Sequence, residues 1–174
     1  MVATYESGVR EVEIGLGPIG ATGEPATAHP STAAVAGHPM HPMVVPIPIG
    51  LLTAAVASDV AYAVTGDGFW ARASRWLLGG GIIGGLVAAS IGLIDFSTIR
   101  SARSATGIGH ASGNATILAL SAVSLAIRQG SPRRVPPVAM ALTALAGAML
   151  AVTGWLGGEL SYREGIGVIP DDER

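Results

Sequence analysis

The distribution of charged residues is the feature that most constrains this chain. Four windows contain no Asp, Glu, Lys or Arg, and most of the arginines lie in the short segments between them. These windows are residues 25–58, 76–94, 104–127 and 135–158. A helix needs about 20 apolar residues to cross a hydrocarbon core of about 30 Å. Each window is long enough or nearly so, and we therefore predict four transmembrane helices.

The composition favours a membrane bundle over a soluble helical bundle. Apolar residues make up 49% of the 174 residues and charged residues only 13%, which is about half of the usual share in globular proteins. A soluble bundle needs a polar stripe along every helix, and the second and fourth windows contain none. The predicted fold is all-α: an antiparallel, up-down, four-helix transmembrane bundle with an irregular N-terminal arm.

Prolines, glycines and charged clusters give the predicted boundaries. Proline suits the first turn of a helix, so the first span is predicted to begin between Pro46 and Pro48. The predicted spans are residues 46–65, 76–96, 108–128 and 137–160. They form a membrane domain at residues 38–168, preceded by a flexible or partner-ordered arm at 1–37 and followed by an acidic tail at 169–174. The arm lacks the basic and apolar pattern of a signal peptide.

Several classes of function are excluded by missing residue types. The chain has no cysteine, which excludes thiolate metal sites, iron–sulfur ligands of its own and a cysteine nucleophile. A net charge of −2 gives no basic field for nucleic acid. No lysine is present, and neither a phosphate-binding glycine loop nor a Gly-x-Ser-x-Gly elbow occurs. The lipid bilayer is therefore the first predicted partner.

Most of the distinctive polar residues are predicted to lie at one end of the bundle. Antiparallel threading brings together the starts of the first and third spans and the ends of the second and fourth. The residues at that end are His38, His41, Asp95, His110, Asn114, Glu159 and Tyr162. Converging imidazoles and carboxylates suit a metal ion or a haem iron, and they would also suit a proton relay or a quinone pocket.

The corresponding site prediction has two parts. The predicted cofactor-binding residues are His38, His41, His110 and Asn114, of which the last two share one side of a helix because they are four residues apart. The predicted metal ligands are His38, His41, Asp95, His110 and Glu159. The cofactor would be haem b or a transition metal.

Each of these residues also has a simpler structural explanation. Carboxylates at helix ends, such as Asp95 and Glu159, often pair with arginines at the membrane surface. The prolines after His38 and His41 favour extended backbone, which predicts a stiff segment before the first helix. A histidine inside a span, such as His110, often makes a hydrogen bond between helices.

Asp59 is predicted to be a buried charge. It lies inside the first span, where an ionised carboxylate costs about 2.5–3.5 kcal/mol, and it must therefore face protein. A structural pair is favoured over a proton-carrying role. The predicted partner is either Arg75, reaching inward, or the hydroxyls of Ser121, Ser124 and Thr143.

Three segments carry a resemblance to a known family. Residues 37–50 are GHPMHPMVVPIPIG, residues 92–96 are GLIDF, and residues 154–168 are GWLGGELSYREGIGV. With Asp59 and the His110–Asn114 pair, they resemble the bacterial membrane family called domain of unknown function twenty-two thirty-one, over residues 37–168. The resemblance implies four transmembrane helices in the bacterial cytoplasmic membrane. It also implies Rieske-type iron–sulfur domains as fusions or neighbours, and similarity to di-haem b-type cytochromes.

The resemblance also assigns motif positions. The family's histidine-proline element falls on residues 38–42, its helix-end aspartate on Asp95, and its histidine and asparagine on His110 and Asn114. Its glycine-rich exit falls on Gly157, Gly158 and Tyr162. Pro46 stands where many members have a polar residue or a histidine, and this chain has no Rieske cysteines.

Two functional hypotheses follow, from different classes. The first is a redox module that holds haem or a metal ion and exchanges electrons with a quinone or a Rieske-type or other redox partner in the membrane. The second is a structural or accessory subunit of a larger membrane assembly. A transporter or proton channel around Asp59 ranks last, because no inverted repeat is evident. Near the span ends, five arginines lie on the side opposite the termini and four on the same side as the termini. Because arginine favours the cytoplasmic side, both termini are predicted to lie outside the cytoplasm.

Overall fold

The structure is a computed structural model that describes residues 27–169. In this part of the chain the α-helices are α1 (Met40–Val44), α2 (Pro46–Thr65), α3 (Gly68–Thr98), α4 (Ala105–Ile127) and α5 (Pro137–Tyr162). Short 3₁₀ turns at Arg100–Arg103 and Arg128–Gly130 follow α3 and α4. Strands β1 (Ala34–Val35) and β2 (His38–Pro39) form an antiparallel hairpin before α1. Residues 1–26 of the predicted arm and 170–174 of the predicted tail lie outside the described residues.

Four segments are long and apolar enough to cross a membrane. They are Met40–Thr65, Gly68–Thr98, Ala105–Gly130 and Pro137–Tyr162, with mean hydropathies between 1.3 and 2.1. Their large apolar side chains face outward, as shown by Val64 at 81% and Trp76 at 80% exposure. Most of the side chains buried between the helices are small or polar, as is typical of helices that associate in lipid. The prediction of an all-α four-helix membrane bundle is confirmed.

The first two spans begin six to eight residues before their predicted starts at residues 46 and 76. The first span begins at Met40, and its helix is interrupted at Val45 because Pro46 and Pro48 have no N–H to donate along the helix. His41 therefore lies inside α1, and the expectation that it precedes the first helix is wrong. Helix α3 begins at Gly68, where Asp67 Oδ1 accepts from the Phe69 amide at 2.8 Å. A helix can continue beyond the apolar layer when a side chain caps it.

The bundle consists of two helical hairpins with matching inner faces. Between α2 and the segment formed by α4 and the first residue after it, buried residues recur with an offset of 69 positions: Pro48, Leu52, Ala55 and Asp59 correspond to Ile117, Ser121, Ser124 and Arg128. In α3 and α5 the offset is 65 positions: Ser74, Leu78, Gly81 and Ala88 correspond to Ala139, Thr143, Ala146 and Thr153. The α2–α3 and α4–α5 hairpins are thus parallel repeats, related by a pseudo-two-fold axis along the bundle.

The guanidinium of Arg128, at the end of α4, is fully buried and makes polar contacts with all the long helices. Its Nη1 and Nη2 donate to Asp59 Oδ1 at 2.7 Å and Oδ2 at 2.6 Å. The same nitrogens donate to Ser74 Oγ at 2.7 Å and to Thr143 Oγ1 at 2.7 Å, and Nε donates to Ser124 Oγ at 3.2 Å. One side chain thereby connects α2, α3, α4 and α5. Full pairing of this kind is what makes a buried charge tolerable.

The partner of Asp59 differs from the predicted one. Arg75 donates to Gln129 at the surface, at 2.9 Å, and Arg128 takes the place that was predicted for Arg75. Arg128 lies at the last residue of the third predicted span, and it points back between the helices. Ser124 and Thr143 bind the guanidinium of Arg128 instead of the carboxylate. Ser121 Oγ is buried and has no hydrogen-bond partner within residues 27–169.

The substitution Asp59→Asn tests the importance of this pair. It leaves the buried Arg128 without a counter-charge, and the loss of one partner from a buried pair costs about 3–5 kcal/mol. We expect a decrease of this size in the free energy of unfolding, measured by circular dichroism during denaturation in mixed micelles. The control Arg75→Gln removes an exposed hydrogen bond and should cost less than about 1 kcal/mol. Equal effects of the two substitutions would contradict the assignment.

Candidate functional site

Two histidines meet at the arm end of the bundle, which is the end formed by the starts of α2 and α4 and the ends of α3 and α5. The ring centroids of His41 and His110 lie 6.4 Å apart, and the ring planes make an angle of 79°. The two residues are equivalent in the repeat, since His41 precedes Asp59 by 18 positions and His110 precedes Arg128 by 18. The pseudo-two-fold axis therefore passes between the two imidazoles.

Each imidazole is anchored to a backbone carbonyl in the same way. His41 Nδ1 lies 2.9 Å from Ala88 O in α3, and His110 Nδ1 lies 2.9 Å from Thr153 O in α5. A carbonyl oxygen only accepts, so Nδ1 carries the hydrogen in both rings. In the neutral imidazole the lone pair is then on Nε2. This is how most metal-binding histidines are held.

Two glycines make room for these rings. Gly92 and Gly157 lie four residues after the two carbonyls, at equivalent positions of the repeat. A Cβ atom at Gly92 would lie 2.8 Å from His41 Nδ1, and one at Gly157 would lie 3.2 Å from His110 Cε1. A side chain at Gly92 would force the His41 ring to shift, and one at Gly157 would crowd the His110 ring, so both glycines favour the observed ring positions.

Asn114 lies beside the second imidazole. Its Nδ2 donates to the carbonyl of His110 at 2.8 Å and lies 3.3 Å from His110 Nε2. The nitrogen Nε2 accepts in this contact because Nδ1 carries the hydrogen. The structure therefore brings together three of the four predicted cofactor-binding residues: His41, His110 and Asn114.

The other predicted ligands lie apart from this pair. His38 is exposed, and its Nδ1 donates to Ala36 O at 2.8 Å within the β-hairpin. Glu159 pairs with Arg163 on the next turn of α5, at 3.3 Å. Tyr162, which the sequence places at this end of the bundle but not among the ligands, is 76% exposed. Within residues 27–169, no group of three or more His, Cys, Asp or Glu side chains could hold a metal ion.

Asp95 binds the arm. Its carboxylate accepts from Ser31 Oγ at 2.7 Å, from the amide and hydroxyl of Thr32 at 2.8 and 3.1 Å, and from the Ala33 amide at 3.1 Å. The backbone of His29 also pairs with the chain after α5. Its amide donates to Gly165 O, and its carbonyl accepts from the Gly167 amide, each at 2.8 Å. The described part of the predicted arm thus lies against the arm end of its own bundle.

Comparison with known proteins gives a family. The sequence model of the family described as "Predicted membrane protein (DUF2231)" matches residues 37–170. The chain belongs to this family, and the resemblance drawn from its motifs is confirmed. No curated protein and no solved structure matches the chain.

The substitution Asp95→Asn tests the attachment of the arm. Hydrogen bonds to a charged group each contribute about 1.5–3 kcal/mol, and a neutral amide replaces the carboxylate that accepts four of them. We expect the amides of Thr32 and Ala33 to exchange hydrogen at least about tenfold faster, measured by mass spectrometry of the protein in detergent. In the control Glu159→Gln, which changes a carboxylate outside the arm contact, the two amides should exchange at the wild-type rate.

The substitution Gly92→Ala tests the position of the first imidazole. The new methyl group would overlap His41 Nδ1 and should break the bond to Ala88, at a cost of about 1–3 kcal/mol from overpacking. We expect the ¹⁵N chemical shifts of the His41 ring to change in labelled protein. Gly79 has no atom near its added Cβ, so Gly79→Ala should leave those shifts unchanged. Unchanged shifts in both variants would contradict the placement of His41.

Proposed function

We propose that this member of the DUF2231 family holds a haem b iron or a transition metal ion between His41 and His110, and that it transfers electrons in the membrane. The observation that carries the proposal is the equivalent anchoring of the two rings. Both donate Nδ1 to a carbonyl of the neighbouring helix, which leaves the lone pair of each ring on Nε2. Neutral imidazole is a ligand for iron, copper and zinc.

The donor set supports a bis-imidazole site. His41 and His110, whose ring centroids lie 6.4 Å apart, would hold the ion, because neutral imidazole nitrogen is a ligand type that iron and copper accept. A site with three ligands from His, Asp or Glu has no support in residues 27–169. We therefore leave His38, Asp95 and Glu159 out of the proposed ligands.

The residues around the pair would tune it. Donation from Nδ1 to a carbonyl fixes the orientation of each ring and makes Nε2 a stronger donor to a metal. Gly92 and Gly157 keep the rings close to these carbonyls. Asn114 now contacts His110 Nε2 and would give up that contact to the ligand. A bound haem or copper ion would supply reversible one-electron transfer.

The proposal includes a location and partners. The site lies at the ends of the spans, and we place it at the outer surface of the bacterial cytoplasmic membrane, with both termini outside the cytoplasm. A quinone or a Rieske-type protein would be the redox partner, as the family resemblance implies. The arm bound to Asp95 would be the surface closest to such a partner.

A structural or accessory role in a larger membrane assembly is the second candidate. The same two Nδ1 bonds favour it, because each joins two helices: α1 to α3 and α4 to α5. In that case the histidines would stabilise the hairpins without binding a cofactor.

Spectra and metal content of the protein purified from native membranes distinguish the two candidates. We expect a Soret band or a stoichiometric transition metal, and we expect His41→Ala and His110→Ala to abolish either one because each removes a ligand. The control His38→Ala removes an exposed imidazole and should change nothing. A wild-type protein with neither a Soret band nor a bound metal, together with variants that only lower thermal stability, would contradict the redox proposal and favour the structural one.

A further inference from the structure

A second candidate site lies at the arm end of the bundle. It is an open pocket of about 620 Å³ between the arm and the turn that joins α3 to α4. Its lining residues are His29, Pro30, Thr98, Ile99, Arg100 and Ser101. Neither His41 nor His110 lines this pocket, so it is separate from the proposed cofactor site and does not depend on it.

Two polar side chains of this pocket have no partner within residues 27–169. Arg100 is exposed and makes neither a hydrogen bond nor an ion pair in that range. Ser101 Oγ is a buried atom without a hydrogen-bond partner. Buried hydroxyl groups are rarely left unpaired, because the loss of water is then uncompensated. The guanidinium of Arg100 and the hydroxyl of Ser101 are therefore two donors in one pocket that a ligand with acceptor oxygens could satisfy.

The neighbouring charged groups are already engaged. The carboxylate of Asp95 accepts four hydrogen bonds from the arm, and Glu164 Oε2 accepts from Ser104 Oγ at 2.7 Å. Arg103 donates to the carbonyls of Phe96 and Ser97 at the end of α3. Arg100 is the arginine of this turn without a hydrogen bond in residues 27–169, and it forms no ion pair with either carboxylate there.

The lining of the pocket suits an amphiphilic anion. A guanidinium binds phosphate oxygens through paired N–H groups, and the Ser101 hydroxyl and the His29 imidazole can add hydrogen bonds. Pro30 and Ile99 supply apolar walls. The pocket also lies just beyond the last turn of a membrane-spanning helix, at the level of lipid headgroups. We propose that it binds a phosphate group, carried by an anionic phospholipid.

Binding of defined lipids to the full chain in detergent micelles tests this proposal. Native mass spectrometry would compare dioleoylphosphatidylglycerol with dioleoylglycerol, which has the same chains and no phosphate. We expect the phospholipid to bind and the neutral lipid not to bind. Arg100→Gln should weaken phospholipid binding about 10- to 100-fold, because it removes hydrogen bonds to a charged group. Ser101→Ala should weaken it less and leave the thermal stability unchanged.

The control is another arginine at the same end of the bundle. Arg163 pairs with Glu159 and does not line the pocket. Arg163→Gln should therefore lower phospholipid binding by at most about fivefold, which is the effect of one surface charge. A calorimetric titration with inorganic phosphate shows whether the site binds the free ion as well as the phosphate of a lipid headgroup. Binding that depends on Arg100 supports the phosphate site whether the lipid or the free ion binds. Equal losses in the two arginine variants, or equal binding of the two lipids, would overturn the proposal.

Discussion

The buried pair of Arg128 and Asp59 is the contact on which the rest of the bundle depends. The hydrophobic effect does not drive helices together in lipid, so close packing of small residues and polar contacts hold them. The guanidinium meets side chains from all four long helices, and it therefore fixes how the two hairpins lie against each other. Along α2 and α4, about 18 residues or 27 Å of helix separate this pair from the histidines at the arm end. The register set by the charges therefore also sets which residues meet there.

The repeat explains why His41 and His110 form a pair. Residues at equivalent positions of two parallel hairpins approach each other near a pseudo-two-fold axis. At one end of the axis the equivalent residues are Asp59 and Arg128, which carry opposite charges and bind each other. At the other end the equivalent residues are two histidines, and each imidazole is held by a carbonyl and lies next to a glycine. Two imidazoles offer a matched pair of nitrogen donors, and this is the basis of the proposed cofactor site.

The sequence predicted those features that lipid and helix geometry dictate, and it did not predict contacts between distant residues. Charge-free windows predicted the four spans, and the four-residue spacing predicted that His110 and Asn114 share a helix side. The partner of Asp59 was missed because Arg128 directly follows a charge-free window and was counted among the charges of the loop. The arm contact of Asp95 was missed because its partners lie 62 to 64 residues away. The equal spacing of His41 and His110 from Asp59 and Arg128 was a signal of the repeat that could have paired these residues.

The most direct test of this account is the proximity of the two imidazoles in a lipid bilayer. Solid-state NMR of protein with isotope-labelled histidine can detect a through-space contact between two rings. We predict a cross-peak between the His41 and His110 rings, whose centroids lie 6.4 Å apart, and its disappearance when either residue is replaced by asparagine. Resolved signals from both rings without a cross-peak would show that the hairpins do not bring the imidazoles together, and they would contradict the account.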